Sequence, residues 1–185
     1  GDRSEERIDE IMAKLNGKKV AFLVTDGYED SELTSPWEAV TGAGAEAILL
    51  APKSGSVAGK KGHAQTVDMP VAEAVAGEFD ALVLPGGVVN ADHLRLDAPS
   101  AAFARGFFEQ HKPVGVICHG AWILIEADVV DGRTMTSYPS LRTDLRNAGA
   151  VWVDEEVVVD QGLVSSRTPD DLPAFNRKLV EEIGE

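Results

Sequence analysis

The 185-residue chain contains a single cysteine, Cys118. A lone cysteine closes no internal disulfide, so stability must come from a packed core, and a reducing cytoplasmic setting is expected. Histidine is scarce as well. The four present, His63, His93, His111 and His119, form no CxxC or HExxH spacing with Cys118. No metal and no cofactor are therefore expected. Basic residues are few, 17 Lys plus Arg against 31 Asp plus Glu, for a formal charge of -14. That balance repels phosphate backbones and anionic lipid, which removes nucleic acid and membrane surfaces from the expected partners. No apolar run approaches the roughly 20 residues that span a bilayer. The opening GDRSEERIDEIMAKLNGKK also lacks the apolar core of a secretory signal.

What is present is an alternation of short β-rich runs with longer segments of helical period. KVAFLV (19 to 24), AEAILLA (45 to 51), DALVLPGG (80 to 87) and PVGVIC (113 to 118) read as buried strands. Between and after them, residues 29 to 44, 98 to 111, 120 to 127 and 137 to 149 read as helices, and Pro169 is placed to begin a last one. This is the pattern of an α/β protein, a flavodoxin-like three-layer αβα sandwich with a mainly parallel sheet. Residues 150 to 166 read as short strands around Asp160, Gln161 and Gly162, an antiparallel addition at one sheet edge. Residues 52 to 66 read as an exposed loop or loose hairpin, and 88 to 97 as a loop. The first 17 residues form an amphipathic helical extension, with Ile8, Ile11, Met12 and Leu15 on one face and Ser4 as its N-cap, ahead of one domain over 18 to 185.

Cys118 stands at the end of a buried strand with a helix directly after it. In an open α/β sheet, ligands bind beyond the carboxyl ends of the strands. A sharp strand-to-helix turn with Gly115 and Gly120 nearby is the cysteine counterpart of the nucleophile elbow. The competing reading is a small buried hydrophobe, since free cysteine is among the most buried residue types. If Cys118 is reactive, the helix start should hold its thiol below the roughly 8.5 of a free cysteine. DGYEDSEL (26 to 33) leaves the first strand on the same edge, so Glu29 or Glu32 can reach the thiol. A carboxylic acid beside a thiolate is expected to be protonated, because adjacent negative charges are costly. The Gly87 N–H, in LPGG, and the His119 N–H form a candidate oxyanion hole. Neighbours in sequence do not face each other on a helix, so His119 needs a third group to aim its ring, and Asp92 is one candidate.

At these residues the chain resembles the PfpI family of intracellular cysteine proteases, within the ThiJ/PfpI superfamily related to class I glutamine amidotransferases. YEDSEL, GKKG, FDALVLPGG, KPVGVICHG, TSYPSLRTDLRNAGA and VWVDEEVVVDQGLVSSRTPDDLPAF follow in the family order. The resemblance implies the flavodoxin-like fold, Cys118 as elbow nucleophile, His119 as catalytic histidine, and a glutamate hydrogen-bonded to the thiol, Glu32 first and Glu29 as alternate. It also implies a homo-oligomer in which an acidic residue of a neighbouring subunit orients the histidine. Asp92 falls at that position, where the family usually has glutamate. Tyr138 and Lys60 match polar residues bordering the family pocket. The implied activity is attack on carbonyl groups of peptides or aldehyde-derived adducts, as protease, glyoxalase or deglycase. The alternative is a redox-sensing or chaperone-like stress protein that uses oxidation of Cys118.

Overall fold

The computed structural model describes residues 3–185. In chain order the elements are α1 (Arg3–Ala13), β1 (Lys19–Leu23), α2 (Asp30–Gly42), β2 (Glu46–Ala51), β3 (Ser56–Ala58), β4 (Ala64–Thr66), β5 (Met69–Pro70), β6 (Ala81–Leu84), α3 (Val88–Leu96) and α4 (Ala98–Glu109). There follow β7 (Val114–Ile117), α5 (Ala121–Glu126), β8 (Thr134–Met135), α6 (Arg142–Asn147), β9 (Val151–Trp152), β10 (Val158–Asp160), β11 (Leu163–Ser166) and α7 (Leu172–Ile183). Seven strands form the central sheet in the order β10-β11-β7-β6-β1-β2-β5. Every pairing in it is parallel except that of β10 with β11.

Both sheet faces are covered, which is why the strands read as unbroken apolar runs. Side chains alternate across a strand, so β1 sends Val20 and Phe22 into one core with Leu33, Val83 and Phe175. Ala21 and Leu23 enter the other, with Leu82, Leu84, Phe103 and Phe107. Helices α2 and α7 pack together on the first side and α3, α4 and α5 on the second. Gly115 in β7 is part of this geometry. A Cβ there would lie 2.8 Å from Leu179 Cδ1 and 2.9 Å from Phe175 Cζ, so only glycine lets α7 sit this close to the strand that leads to Cys118.

Chain order also positions the site. From β1 the chain runs outward through β2 to β5, then returns to the other side of β1 with β6 and β7. The switch point lies between β1 and β6, the position at which open α/β sheets bind their ligands.

Several expectations need correction. Residues 88 to 97 are largely helix α3 rather than loop, which puts Asp92 on a rigid element. The 52 to 66 segment, read as an exposed loop or loose hairpin, takes the hairpin form, with β3 paired to β4. Of the strands read in 150 to 166, β10 and β11 make the expected antiparallel edge, but β9 leaves the sheet and pairs with β8, a strand not anticipated. Ser4 lies inside α1 rather than capping it. Of the apolar face of that helical extension, only Leu15 is buried, while Ile8, Ile11 and Met12 are each more than half exposed. Among the described residues, no helix is long and apolar enough to cross a membrane.

Phe175 is fully buried between α7 and the sheet. Phe175→Ala is expected to cost about 3–5 kcal/mol, read as a lower urea midpoint with an unchanged slope. A loss below about 1 kcal/mol would show that this core does not hold α7 in place.

Candidate active site

Three loops meet at the switch point: residues 24–29 after β1, 85–87 after β6, and the turn at Cys118 after β7. Cys118 has φ +62°, left-handed backbone that side-chain-bearing residues adopt at a cost of about 1–3 kcal/mol. This is the strained corner expected of an elbow. A single 3-10 turn, Cys118–Gly120, follows before the six-residue α5 begins.

The left-handed corner does what a regular helix could not. It brings His119 Nδ1 to 3.3 Å from Cys118 Sγ, so the two neighbours in sequence are in contact. The imidazole is fixed by rings on either side: Tyr138 stacks on it at 4.7 Å between centroids and Trp122 meets it edge-on at 5.1 Å. Tyr138 is itself held by its backbone N–H, which donates to the Cys118 carbonyl. Burial, and then the nearby Lys60 charge, push the His119 pKa down, which keeps the ring neutral at neutral pH.

Glu32, in the first turn of α2, is fully buried, and its Oε1 accepts the Gly86 N–H at 2.9 Å. Gly86 lies between it and the nucleophile. A Cβ on Gly86 would lie 2.5 Å from Glu32 Oε1 and 2.8 Å from Cys118 Cβ. Burial, lessened by the Gly86 hydrogen bond, pushes the Glu32 pKa up to about 8. The carboxyl is therefore protonated at neutral pH, as expected for an acid beside a thiol. Its Oε2 is buried and has no hydrogen-bond partner among the described residues, so the expected bond to the thiol is not formed. Glu29 faces elsewhere. It pairs with Lys60, and with Lys61 at 2.8 Å. Burial alone would raise the Glu29 carboxyl, but the hydrogen bonds from these two lysines prevail and hold it below the usual carboxylate range.

The thiol itself departs from expectation. Burial, with the Glu32 charge adding to it, pushes the Cys118 pKa up to about 12 rather than below the free value. The His119 and Gly87 N–H groups both donate to the sulfur and oppose this shift, yet burial prevails. The helix that was to stabilise a thiolate is only six residues long and begins after a 3-10 turn, so its dipole is weak.

Gly87 has φ +89°, and a Cβ on it would lie 2.5 Å from the Gly27 carbonyl oxygen. Sequence reasoning missed the residue that holds this turn. Asn90, fully buried in α3, donates to the carbonyls of Pro85 (3.2 Å) and Gly86 (3.0 Å) while its Oδ1 accepts the Thr25 N–H at 2.7 Å. One side chain thus ties the β1 and β6 loops together. An asparagine five residues beyond Pro85 was its only mark in the sequence. Asp92, two residues further along α3, is exposed and does not reach His119 within this chain. No group of three or more His, Cys, Asp or Glu side chains among the described residues is arranged to hold a metal ion.

The fold and the sequence have known relatives. The profile of the DJ-1/PfpI family matches residues 18–182. The chain is 49% identical over 170 residues to Protein/nucleic acid deglycase 2 of Escherichia coli, covering 90% of this chain and 98% of that one. It is 47% identical over 164 residues to Putative cysteine protease YraA of Bacillus subtilis, covering 88% and 96%. Among solved structures, a two-domain protein of Anabaena variabilis with DJ-1/ThiJ/PfpI-like and ferritin-like domains superposes with a TM-score of 0.88 at 37% identity. That match covers 90% of this chain and 48% of the longer protein.

Ionised Glu32 opposes thiolate formation, so Glu32→Gln is expected to lower the pH midpoint of iodoacetamide labelling at Cys118. A midpoint that rises or stays would overturn the assignment. The same variant tests linkage. A carboxyl whose folded pKa lies above its unfolded value keeps its proton while the unfolded chain releases one, so stability is lost as pH rises from about 4.5 to 8. Wild type should lose a few kcal/mol more than Glu32→Gln across that window in urea titrations.

Proposed function

Because the chain belongs to the DJ-1/PfpI family, we propose that it is a cysteine-dependent enzyme in which Cys118 adds to the carbonyl carbon of a small aldehyde or an aldehyde-derived adduct. The observation that carries this reading is the 3.3 Å contact between Cys118 Sγ and a neutral His119 at a left-handed elbow. With the thiol protonated at rest, the nucleophile is made during attack: the S–C bond forms as the S–H proton passes to His119 Nδ1. The carbonyl π electrons move onto oxygen, beside the Gly87 and His119 N–H groups that face the sulfur. Protonated Glu32, with Oε2 unpartnered, is a second proton donor next to the developing charge. The deglycase name of a relative 49% identical fits this chemistry. A thiol kept protonated reacts slowly with peroxide, which weighs against oxidation of Cys118 as the primary role.

Among the described residues of this chain, no acidic side chain is bonded to His119, while Asp92 is exposed on α3 and Val88 and Val89, beside Gly87, are each 51% exposed. We propose a homo-oligomer, at least a dimer, in which Asp92 of one copy orients His119 of another.

Turnover of methylglyoxal, of glycated amines and of short peptides by wild type and Cys118→Ala tests the core reading. Cys118-dependent turnover of either carbonyl class supports it, and cleavage of peptides alone would overturn it in favour of a peptidase. His119→Gln should cost about 10²–10⁴-fold. Because the base has a lowered pKa, wild-type activity should not fall until the pH is below 6.5. Asp92→Asn should reduce turnover without moving the thiol labelling midpoint, and activity per subunit should fall on dilution. A fully active monomer at micromolar concentration would overturn the shared site.

A further inference from the structure

The loop after β6 carries two glycines in succession, Gly86 and Gly87, and their backbone groups are bound on several sides. The Gly86 N–H donates to Glu32 Oε1 at 2.9 Å. The Gly86 carbonyl accepts from Asn90 Nδ2 at 3.0 Å and from the Glu29 N–H at 3.3 Å, and the Gly87 carbonyl accepts the Ala91 N–H at 3.0 Å. The remaining polar group of the pair, the Gly87 N–H, is turned to the site and donates to the Cys118 sulfur. Gly86 itself lies against the nucleophile, since a Cβ on it would be 2.8 Å from Cys118 Cβ.

A trans peptide is planar, so its N–H and C=O point to opposite sides and turn together. Whatever fixes the Gly86 carbonyl therefore fixes the direction of the Gly87 N–H. Local sterics do not supply this restraint. A flip of the peptide changes only ψ of Gly86 and φ of Gly87, and with no Cβ on either residue the backbone tolerates both orientations. The flipped form would present a carbonyl oxygen to the sulfur in place of a donor. Of the two bonds that hold the carbonyl, the one from Asn90 is the shorter.

Asn90 suits this task by burial and by chemistry. It is fully buried in the first turn of α3, three residues after Gly87. Its partners admit one orientation of the amide: the Thr25 N–H, at 2.7 Å, must meet Oδ1, while the carbonyls of Pro85, at 3.2 Å, and Gly86 must meet Nδ2. An ionised aspartate would lack both donors, and a hydroxyl would supply only one.

Resting on the oxyanion step of the proposed function, we infer that Asn90 is a positioning residue: through the Gly86 carbonyl it locks the Gly86–Gly87 peptide, so that the Gly87 N–H stays aimed at the oxygen that gains charge during attack. Asn90 acts through this peptide alone. Its effect falls on the transition state, where that oxygen becomes anionic, rather than on substrate binding.

Turnover of methylglyoxal, a glycated amine and a short peptide by wild type, Asn90→Ala, Asn90→Asp and Phe107→Ala tests this. Phe107 is fully buried in the last turns of α4, which lead to the amino end of β7, so its loss weakens the core at the edge opposite Cys118. Asn90→Ala should lower kcat by roughly 10²-fold, the scale of a misplaced oxyanion donor, with KM within about twofold of wild type. Phe107→Ala, at temperatures where it is folded, should keep its kcat. In NMR spectra of protein carrying isotope-labelled glycine, the Gly87 amide should shift or broaden in Asn90→Ala while the Gly86 amide, bound to Glu32, stays. Asn90→Asp keeps the side-chain shape and the Thr25 bond, and so carries the test if Asn90→Ala does not fold. Its kcat relative to wild type should fall as rising pH ionises the carboxyl and removes the donor to Gly86. Wild-type kcat throughout in a folded Asn90 variant, or an equal loss in Phe107→Ala, overturns the positioning role and leaves the carbonyl reading intact. Cleavage of the peptide alone, with the Asn90 loss retained, overturns the carbonyl reading and supports the positioning role, because attack on an amide builds the same oxyanion. Absence of Cys118-dependent turnover of all three by wild type overturns both.

Discussion

The site depends on a lack of space at Gly86. The loop after β6 passes between the Glu32 carboxyl and the Cys118 Cβ with no room for a side chain. Its N–H binds Glu32 and its carbonyl accepts from both Asn90 and the Glu29 backbone. Hydrogen bonds from one glycine thus reach α2, α3 and the β1 loop, and the nucleophile packs directly against it. Such a junction is stable because its polar groups are bonded, and costly to disturb because a buried group left unbonded loses its hydration without compensation. The same crowding leaves the thiol only partly open to water.

Unequal burial divides the site into two electrostatic regions. In the dry part, ionisation is suppressed: Glu32 keeps its proton to about pH 8, Cys118 is a thiol and His119 is a free imidazole. Such a set can pass protons along short contacts but carries no resting charge of its own. At the wet rim, Glu29 is held ionised by two lysines that remain half exposed or more. Two glutamates three residues apart, Glu29 just before α2 and Glu32 in its first turn, thus differ in charge state because Glu32 faces the sheet junction and Glu29 faces a lysine-bearing hairpin. The elbow belongs to the same economy of space. A cysteine in left-handed backbone stores strain, and in return its sequence neighbour, clamped between Tyr138 and Trp122, becomes its proton acceptor.

The larger features were legible in the sequence because they follow from local pattern. Strands buried on both faces must be continuously apolar, and KVAFLV, ALVL and VGVI are; helices between them must carry one apolar stripe. Cys118, His119 and Gly87 could be placed on one edge in advance, with Glu29 and Glu32 as alternatives beside them, because carboxyl ends of parallel strands gather there whatever the loops do.

What sequence could not decide is how far each group is buried and what it meets. Whether Glu29 or Glu32 faces the thiol turns on the rotation of α2, which α7 and the sheet set by packing. Asn90 looked like any polar residue until its helix placed it across two loops. The sign of the thiol shift depends on a balance between two N–H donors and the depth of burial, a property of the assembled volume rather than of the string GVICHG. Residue type and spacing thus determined which groups arrive at the sheet edge. Only the tertiary structure decided their protonation states and partners, because ionisation energy depends on distance and water access, and both exist only once the layers have packed.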